Sequence, residues 1–206
     1  MKSFRQKAYE YVVETVGIST EVTPFFAAYE TLVVNMSNDV SQDARTYGAV
    51  ILFMGLGALF QKGRESSEKF FRIAQRSSWV RPVHDIAYNA VFSAAVAPPL
   101  YFLSGEKELE KIFWGTVGGA VIGIINGIPV GYTLDVFRDL GGIKVCERPS
   151  YPPFLRHASA SRKAVCALGL LFASGAFTTG IYVVHEQGFS LEQIMESQSS
   201  DETKEE

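Results

Sequence analysis

Two cysteines and three histidines in 206 residues leave little for metal or thiol chemistry. Cys146 and Cys166 are too few and too far apart for a zinc site. On the reducing side of a cell membrane a structural disulfide between them is not expected. HExxH, GxSxG and Walker motifs are all missing, which argues against a metalloprotease, an α/β-hydrolase or an ATP-driven machine. His84, His157 and His185 stand at helix boundaries or in a loop and form no catalytic set with a nucleophile. No cofactor, metal or enzyme activity is expected. A net charge of -3 offers nothing to nucleic acid. No cleavable leader is read at the N-terminus either, because Glu14 and Glu21 interrupt its apolar stretch.

Charge itself is missing from long runs. There is none between Lys111 and Asp135 (23 residues), Asp85 and Glu106 (20), Lys163 and His185 (21) or Arg45 and Lys62 (16). Apolar runs of about 18 residues or more read as transmembrane helices. The shortest run can still span, because Arg and Lys at its ends snorkel. A first helix over about Val16 to Asn35 is more polar, carrying Glu21 and Glu30 with Pro24 between them. Its presence is supported by the positive charges. With five spans, 15 of the 19 Lys and Arg residues fall on one side and four on the other. The positive-inside rule then sets the N-terminus in the cytoplasm and the C-terminus outside, in the cell (inner) membrane. The predicted fold is an all-α, polytopic transmembrane helical bundle of about five transmembrane helices. Residues 1–140 form a four-helix membrane domain, 141–163 a cytoplasmic linker, 164–184 a further helix and 185–206 a polar, acidic, disordered tail.

Glycine is concentrated in one place. Gly115, Gly119, Gly123, Gly127 and Gly131 recur every fourth residue inside the longest uncharged run. Glycine weakens a helix by about 1 kcal/mol relative to alanine. In lipid, small residues let helix backbones approach closely, so the stripe predicts a helix-packing face. It is assigned here to a parallel homo-oligomer, since the charge bias disfavours antiparallel protomers. The stretch ESSEKFFRIAQRSSW, residues 65–79, interleaves Phe70, Phe71, Ile73 and Trp79 with Lys69, Arg72 and Arg76, and predicts an amphipathic helix on the inner membrane surface.

A weak internal repeat is also visible. GALFQKGRE (57–65) and GYTLDVFRD (131–139) each place an Arg-acid pair seven residues after a glycine. Such units would be two parallel two-helix repeats about an axis along the membrane normal, followed by one extra C-terminal helix.

Ionisable and amide groups at membrane depth are the functional candidates. Glu14 and Glu21, seven apart, share a helix face. Glu30 lies opposite on an ideal helix, unless Pro24 kinks it; the bland alternative leaves Glu30 solvated at the outer interface. Asp85 and Tyr88 share a face with Asn89 and Phe92. Asn126 is the one amide in the middle of the glycine helix, suited to an interhelical hydrogen bond. Asp135 and Arg138 are spaced to pair, and structurally so.

In order along the chain stand Glu14-Thr15, Glu30, Met36-Ser37, Arg45, Arg64-Glu65, DIAY (85–88) with Phe92, and GYTLD (131–135) with Arg138 and Leu140. In this order and spacing, over residues 10–140, the chain resembles the L-alanine exporter family of small inner-membrane proteins. Tyr132 belongs to its most specific segment. The chain departs from the family where Leu59, Phe60 and Gln61 replace a Pro-Tyr-Gly step. It also adds a fifth helix and a linker containing YPPF to the family's four helices. The resemblance implies export of alanine or a similar small amino acid, driven by the proton gradient. A carboxylate, Glu30 or Glu21, would hold the substrate ammonium or carry the proton. Arg45, Asn126 or a backbone amide would meet the substrate carboxylate. The competing readings are a non-transporting membrane protein that packs against a partner through its glycine stripe, and an exporter of another small solute.

Overall fold

Serine starts both of the first two helices. Ser3 Oγ accepts from the Gln6 amide while the Gln6 side chain accepts from the Ser3 amide, a reciprocal cap that opens α1 (Phe4–Ala28). Ser37 accepts from the Val40 amide and opens α2 (Asn38–Ile51), with Asp39 favourably placed in its first turn. α1 runs on through a π-helical turn, Tyr29–Val33, and α2 through another, Leu52–Leu56, into α3 (Gly57–Phe70). The computed structural model describes residues 3–76 and 79–188, so the acidic tail from 189 onwards lies outside the described residues. After a short 3₁₀ turn at Ile73–Gln75 come α4 (Val80–Leu103), α5 (Leu109–Ile125), α6 (Gly127–Leu140), the single turn α7 (Pro153–Arg156) and α8 (Ala160–Glu186). Among the described residues there is no strand, and the all-helical expectation holds.

Three of these elements are long and apolar enough to cross a bilayer: Asn38–Phe70 taken through its π turn, Ile86–Leu103, and Ala160–Glu186. Leu109–Ile125 and Pro129–Leu140 make a fourth only if the two, bent by 66°, count as one span. α1 is not among them: Arg5, Lys7, Glu10, Glu14 and Glu21 make it too polar by composition, although its 25 residues are long enough.

The sequence pattern is corrected at two places. The glycine helix is not continuous. It breaks at Asn126, and Gly131 belongs to α6. Pro129 lacks the amide that would bond the Ile125 carbonyl, which explains why the helix cannot run straight through. Next, the basic stretch 65–79 is not one amphipathic helix: α3 stops at Phe70, and Arg72 takes a left-handed conformation (φ 52°) before the 3₁₀ turn. Residues 141–163, between α6 and α8, pack against the helices. Cys146 and Tyr151 are buried there, and Tyr9 donates from α1 to the Gly141 carbonyl at 2.9 Å.

The glycine stripe is a packing face within the chain. A methyl group on Gly115 would sit 2.6 Å from Met36 Cε and 2.8 Å from the Tyr101 ring; one on Gly118 would collide with the Tyr29 ring. Gly119 faces Phe26 and Ala97, and Gly123 faces Asn89 and Ser93. Small residues here let α5 lie against α4 and the end of α1, as small-residue faces do in membrane bundles. The stripe from Gly115 to Gly123 is thus packed within one chain. Gly131 faces the Arg148 guanidinium, and the surroundings of Gly127 lie outside the description. By contrast, Val165, Leu168, Phe172 and Phe177 on α8 are exposed, as a lipid-facing surface would be.

α1 and α8 are joined by chemistry that starts with a proline. Pro24, buried within α1, cannot donate to the Thr20 carbonyl one turn back. Ser174 of α8 donates to that carbonyl instead, at 2.6 Å.

Candidate functional site

The π turn at Tyr29–Val33 inserts one extra residue into the last turn of α1. Its wider spacing is carried by the bonds from the Val34 amide to Tyr29 and from the Met36 amide to Glu30. The extra residue turns Glu30 inward, where it is 0% exposed. The alternative of a solvated Glu30 at the interface is thereby overturned. Around its carboxylate three helices converge. Arg45 of α2 forms an ion pair with Oε1. Tyr101 of α4 donates to the same oxygen at 2.8 Å. Ser41 of α2 donates to Oε2 at 2.6 Å. With the Ser41 proton committed to Glu30, the Tyr182 hydroxyl of α8, 3.2 Å away, is the donor to Ser41. The Arg45 guanidinium also lies over the Phe26 ring at 4.6 Å, and its Nε is buried without a hydrogen-bond partner. Val34, Met36, Ala44, Ala97 and Leu100 close the apolar wall beside it.

A paired charge inside an apolar wall is held only if its lone pairs are satisfied. Here both carboxylate oxygens have donors, so the pair is a built feature of this end of the bundle. The same end is sealed by the last turn of α8. Asn38 donates to the Tyr182 carbonyl at 3.0 Å, and the two ring nitrogens of His185 lie 2.8 Å from Asn38 Oδ1 and 3.2 Å from Asn35 Oδ1.

The opposite end holds a second ionic network. Arg138 of α6 grips Glu14 of α1, with contacts at 2.7 and 2.8 Å. Asp135 pairs with Arg148 at 2.6 Å and stands 3.8 Å from Arg138. The i,i+3 pair read from the sequence is thus the weaker contact, because each partner has a better one from elsewhere in the fold. Tyr132 lies under Arg148, 5.7 Å from its guanidinium. A pocket of about 290 Å³ opens here between Asp135, Arg138, Lys144 and Arg148. Beside it, Asp139, 1% exposed, accepts from Lys163 Nζ at 2.8 Å and from the Tyr151 hydroxyl at 2.6 Å. Burial, the bond to Asp139 and its charge hold the Tyr151 phenol well above its ordinary pKa.

Between the two ends stands Glu21. Both its carboxylate oxygens are buried without a hydrogen-bond partner. Thr133 of α6 faces it across the helix contact, outside hydrogen-bonding geometry. Glu14 and Glu21 both face α6, as their seven-residue spacing predicts. Thr15 is buried. Asn126 is buried at the α5–α6 break with its amide nitrogen unpartnered. Asn89 makes an interhelical hydrogen bond, donating to the Gly123 carbonyl at 2.6 Å. Tyr88 donates to the Phe60 carbonyl at 3.2 Å and stacks between His84 and Phe92. Asp85 lies on α4, but its side chain is outside the description.

The sequence does not single out Ser41, Tyr101, Tyr182, Asp139, Tyr151, Lys163 or Arg148. Hydroxyls in apolar helices are too common to flag, and the Asp139 partners come from the segment read as a linker. No family model, curated relative or solved structure matches the chain. The class it can be assigned to is therefore set by its own structure: an all-helical protein with several helices able to span a membrane.

Proposed function

We propose that the protein is a five-span inner-membrane exporter of L-alanine or a similarly small amino acid, coupled to the proton gradient. The observation that carries this reading is the Glu30–Arg45 pair, buried at one end of the bundle and surrounded by three hydroxyls. A zwitterion carries one ammonium and one carboxylate. An ion pair is a matched receptor for it, because the substrate can enter between the two side chains and leave no charge unpaired. In this reading Glu30 takes the ammonium and Arg45 the carboxylate. Neither charge is then stranded in a low-dielectric site, where an unpaired one would cost several kcal/mol.

Helix breaks support the same reading. Transporters place their sites at discontinuous helices, where freed backbone groups line a path. Here α1 ends in a π turn, α2 breaks at Leu52–Leu56 with Gly55 at φ 114°, and α5 breaks at Asn126. The second and third breaks also support two parallel repeats. Leu52 and Asn126 are 74 residues apart, as are Gly57 and Gly131, and Arg64 and Arg138. In each unit the first helix bonds a carbonyl near the break, Tyr11 to Leu52 and Asn89 to Gly123. The N-terminus would be cytoplasmic and the C-terminus external, with the Glu30 end outward.

The packing-partner alternative rested on the glycine stripe, which is occupied within the chain. The test is export from cells loaded with alanine by uptake of an alanine-containing dipeptide. Faster appearance of alanine in the medium, abolished by a protonophore and by Arg45→Met, is the expected result. Export of another amino acid would change the substrate and keep the mechanism. No export by properly inserted protein would overturn the reading.

A further inference from the structure

Glu30 and Glu21 are both acids of α1 within the bundle, and their surroundings divide the work between them. Glu30 has a cation and two hydroxyl donors; its charge is neutralised in place. Glu21 has neither. Every element packed against α1 is free of charge at its level. On α6 it meets Thr133; Tyr132, Asp135, Arg138 and Asp139 are the titratable or charged groups of that helix, and the last three are held in ion pairs nearer the Gly141 end. On α8 the hydroxyls of Ser174 and Thr178 face α1, and no Asp, Glu, Lys, Arg or His stands between Lys163 and His185; Cys166 and Tyr182 lie near its two ends. The π turn Leu52–Leu56 has no ionisable group, and those of α2, namely Asp39, Asp43, Arg45 and Tyr47, cluster toward the Glu30 end. On α5 the ionisable residues are Glu110 and Lys111, in its first turn.

Two interruptions of the backbone lie on the elements that carry or face this acid. Pro24 breaks the hydrogen-bond ladder of α1 one turn beyond it. The α5–α6 break at Asn126 falls between Gly119, which faces Phe26, and Thr133, which faces Glu21. The unpartnered Asn126 amide is at that break. A carboxylate left ionised here has no partner to offset its desolvation, whereas the neutral acid needs none. Binding one proton therefore makes Glu21 compatible with the closed bundle, and releasing it requires water or a cation to reach its carboxyl group.

We propose that Glu21 is the group that takes up and gives off the proton exchanged for the exported solute, while Glu30 stays ion-paired until substrate enters. The proton arrives from outside, forms the neutral acid at Glu21, and leaves toward the cytoplasm past Glu14, on the same helix face two turns away. The assignment rests on the transport reading above. Its test separates the two. Purified full-length protein is reconstituted in vesicles with a pH-sensitive dye inside, and labelled alanine is followed both under a pH gradient and as exchange at equal pH.

Glu21→Gln is expected to keep exchange and to lose at least tenfold of gradient-driven transport, together with alanine-dependent proton movement. Glu21→Gln that still couples to the gradient as well as wild type would overturn the assignment and leave the transport reading standing. Wild-type protein that moves no amino acid in either mode would overturn both. If Glu21→Gln fails to fold, Glu21→Asp decides: a displaced pH profile of exchange is expected, and a profile superimposable on wild type would overturn the assignment.

Discussion

Removing the Arg45 charge should destabilise the protein more than removing both charges of the pair. The perturbation is Arg45→Met, which keeps an unbranched chain over the Phe26 ring and deletes the guanidinium. Glu30 would then be fully buried with only the Ser41 and Tyr101 hydroxyls as partners. Stranding one member of a buried pair costs roughly 3–5 kcal/mol. Arg45 keeps 15% of its side chain exposed, so the lower end applies. For a chain of this size each kcal/mol is worth about 2–4 °C, which places the loss at about 6–12 °C. The double variant Glu30→Gln/Arg45→Met leaves a neutral amide among the same hydroxyls and should recover more than half of that loss. The assay is thermal melting of detergent-solubilised protein, read as the fraction that elutes monodisperse after stepwise heating. A single variant that melts with wild type would refute the reasoning, as would a double variant less stable than the single.

Other expectations follow from the packing. Tyr101→Phe removes one hydrogen bond to a charged group and should cost about 1.5–3 kcal/mol in the same melting assay. Gly118→Ala should prevent the α5–α1 contact and abolish monodisperse protein. Gly169→Ala, with nothing near the added methyl, should be neutral or gain up to about 1 kcal/mol. Asp139→Ala removes the acceptor shared by Lys163 and Tyr151 and should open segment 141–163. Cys146, 2% exposed, is the reporter: its maleimide labelling should be slow in wild type and fast in the variant. Stability should also fall as pH rises above about 10. There the unfolded Tyr151 phenol ionises while the folded one, raised first by burial and then by Asp139, stays protonated, so the contribution present below pH 10 is lost. Tyr151→Phe should flatten that limb of the pH–stability curve.

Uncharged runs reveal the apolar helices because lipid penalises charge whatever the tertiary fold. The same signal fails for α1, whose acids are sheltered by neighbouring helices rather than absent. A four-residue glycine period locates a packing face but not its partner: Met36, Tyr101 and Tyr29 come from distant parts of the chain. The break at Asn126 was written in Pro129, which the apolar average conceals. Glu30, Arg45, Glu14 and Arg138 were visible as ionisable residues near membrane depth. Their pairing was not, since it depends on a π turn at Tyr29–Val33 and on the docking of α1 against α6.

The bond from Ser174 to the Thr20 carbonyl has a consequence in time. α1 is made first and α8 last, with more than a hundred residues between them. Until α8 leaves the ribosome and docks on α1, the carbonyl that Pro24 releases has no Ser174, and Ser41 has no Tyr182. The helices that precede α8 are thus an unfinished assembly during synthesis. A ribosome arrested before residue 174 would hold a bundle whose first helix still displays a bare backbone acceptor. The last helix to be translated completes the first.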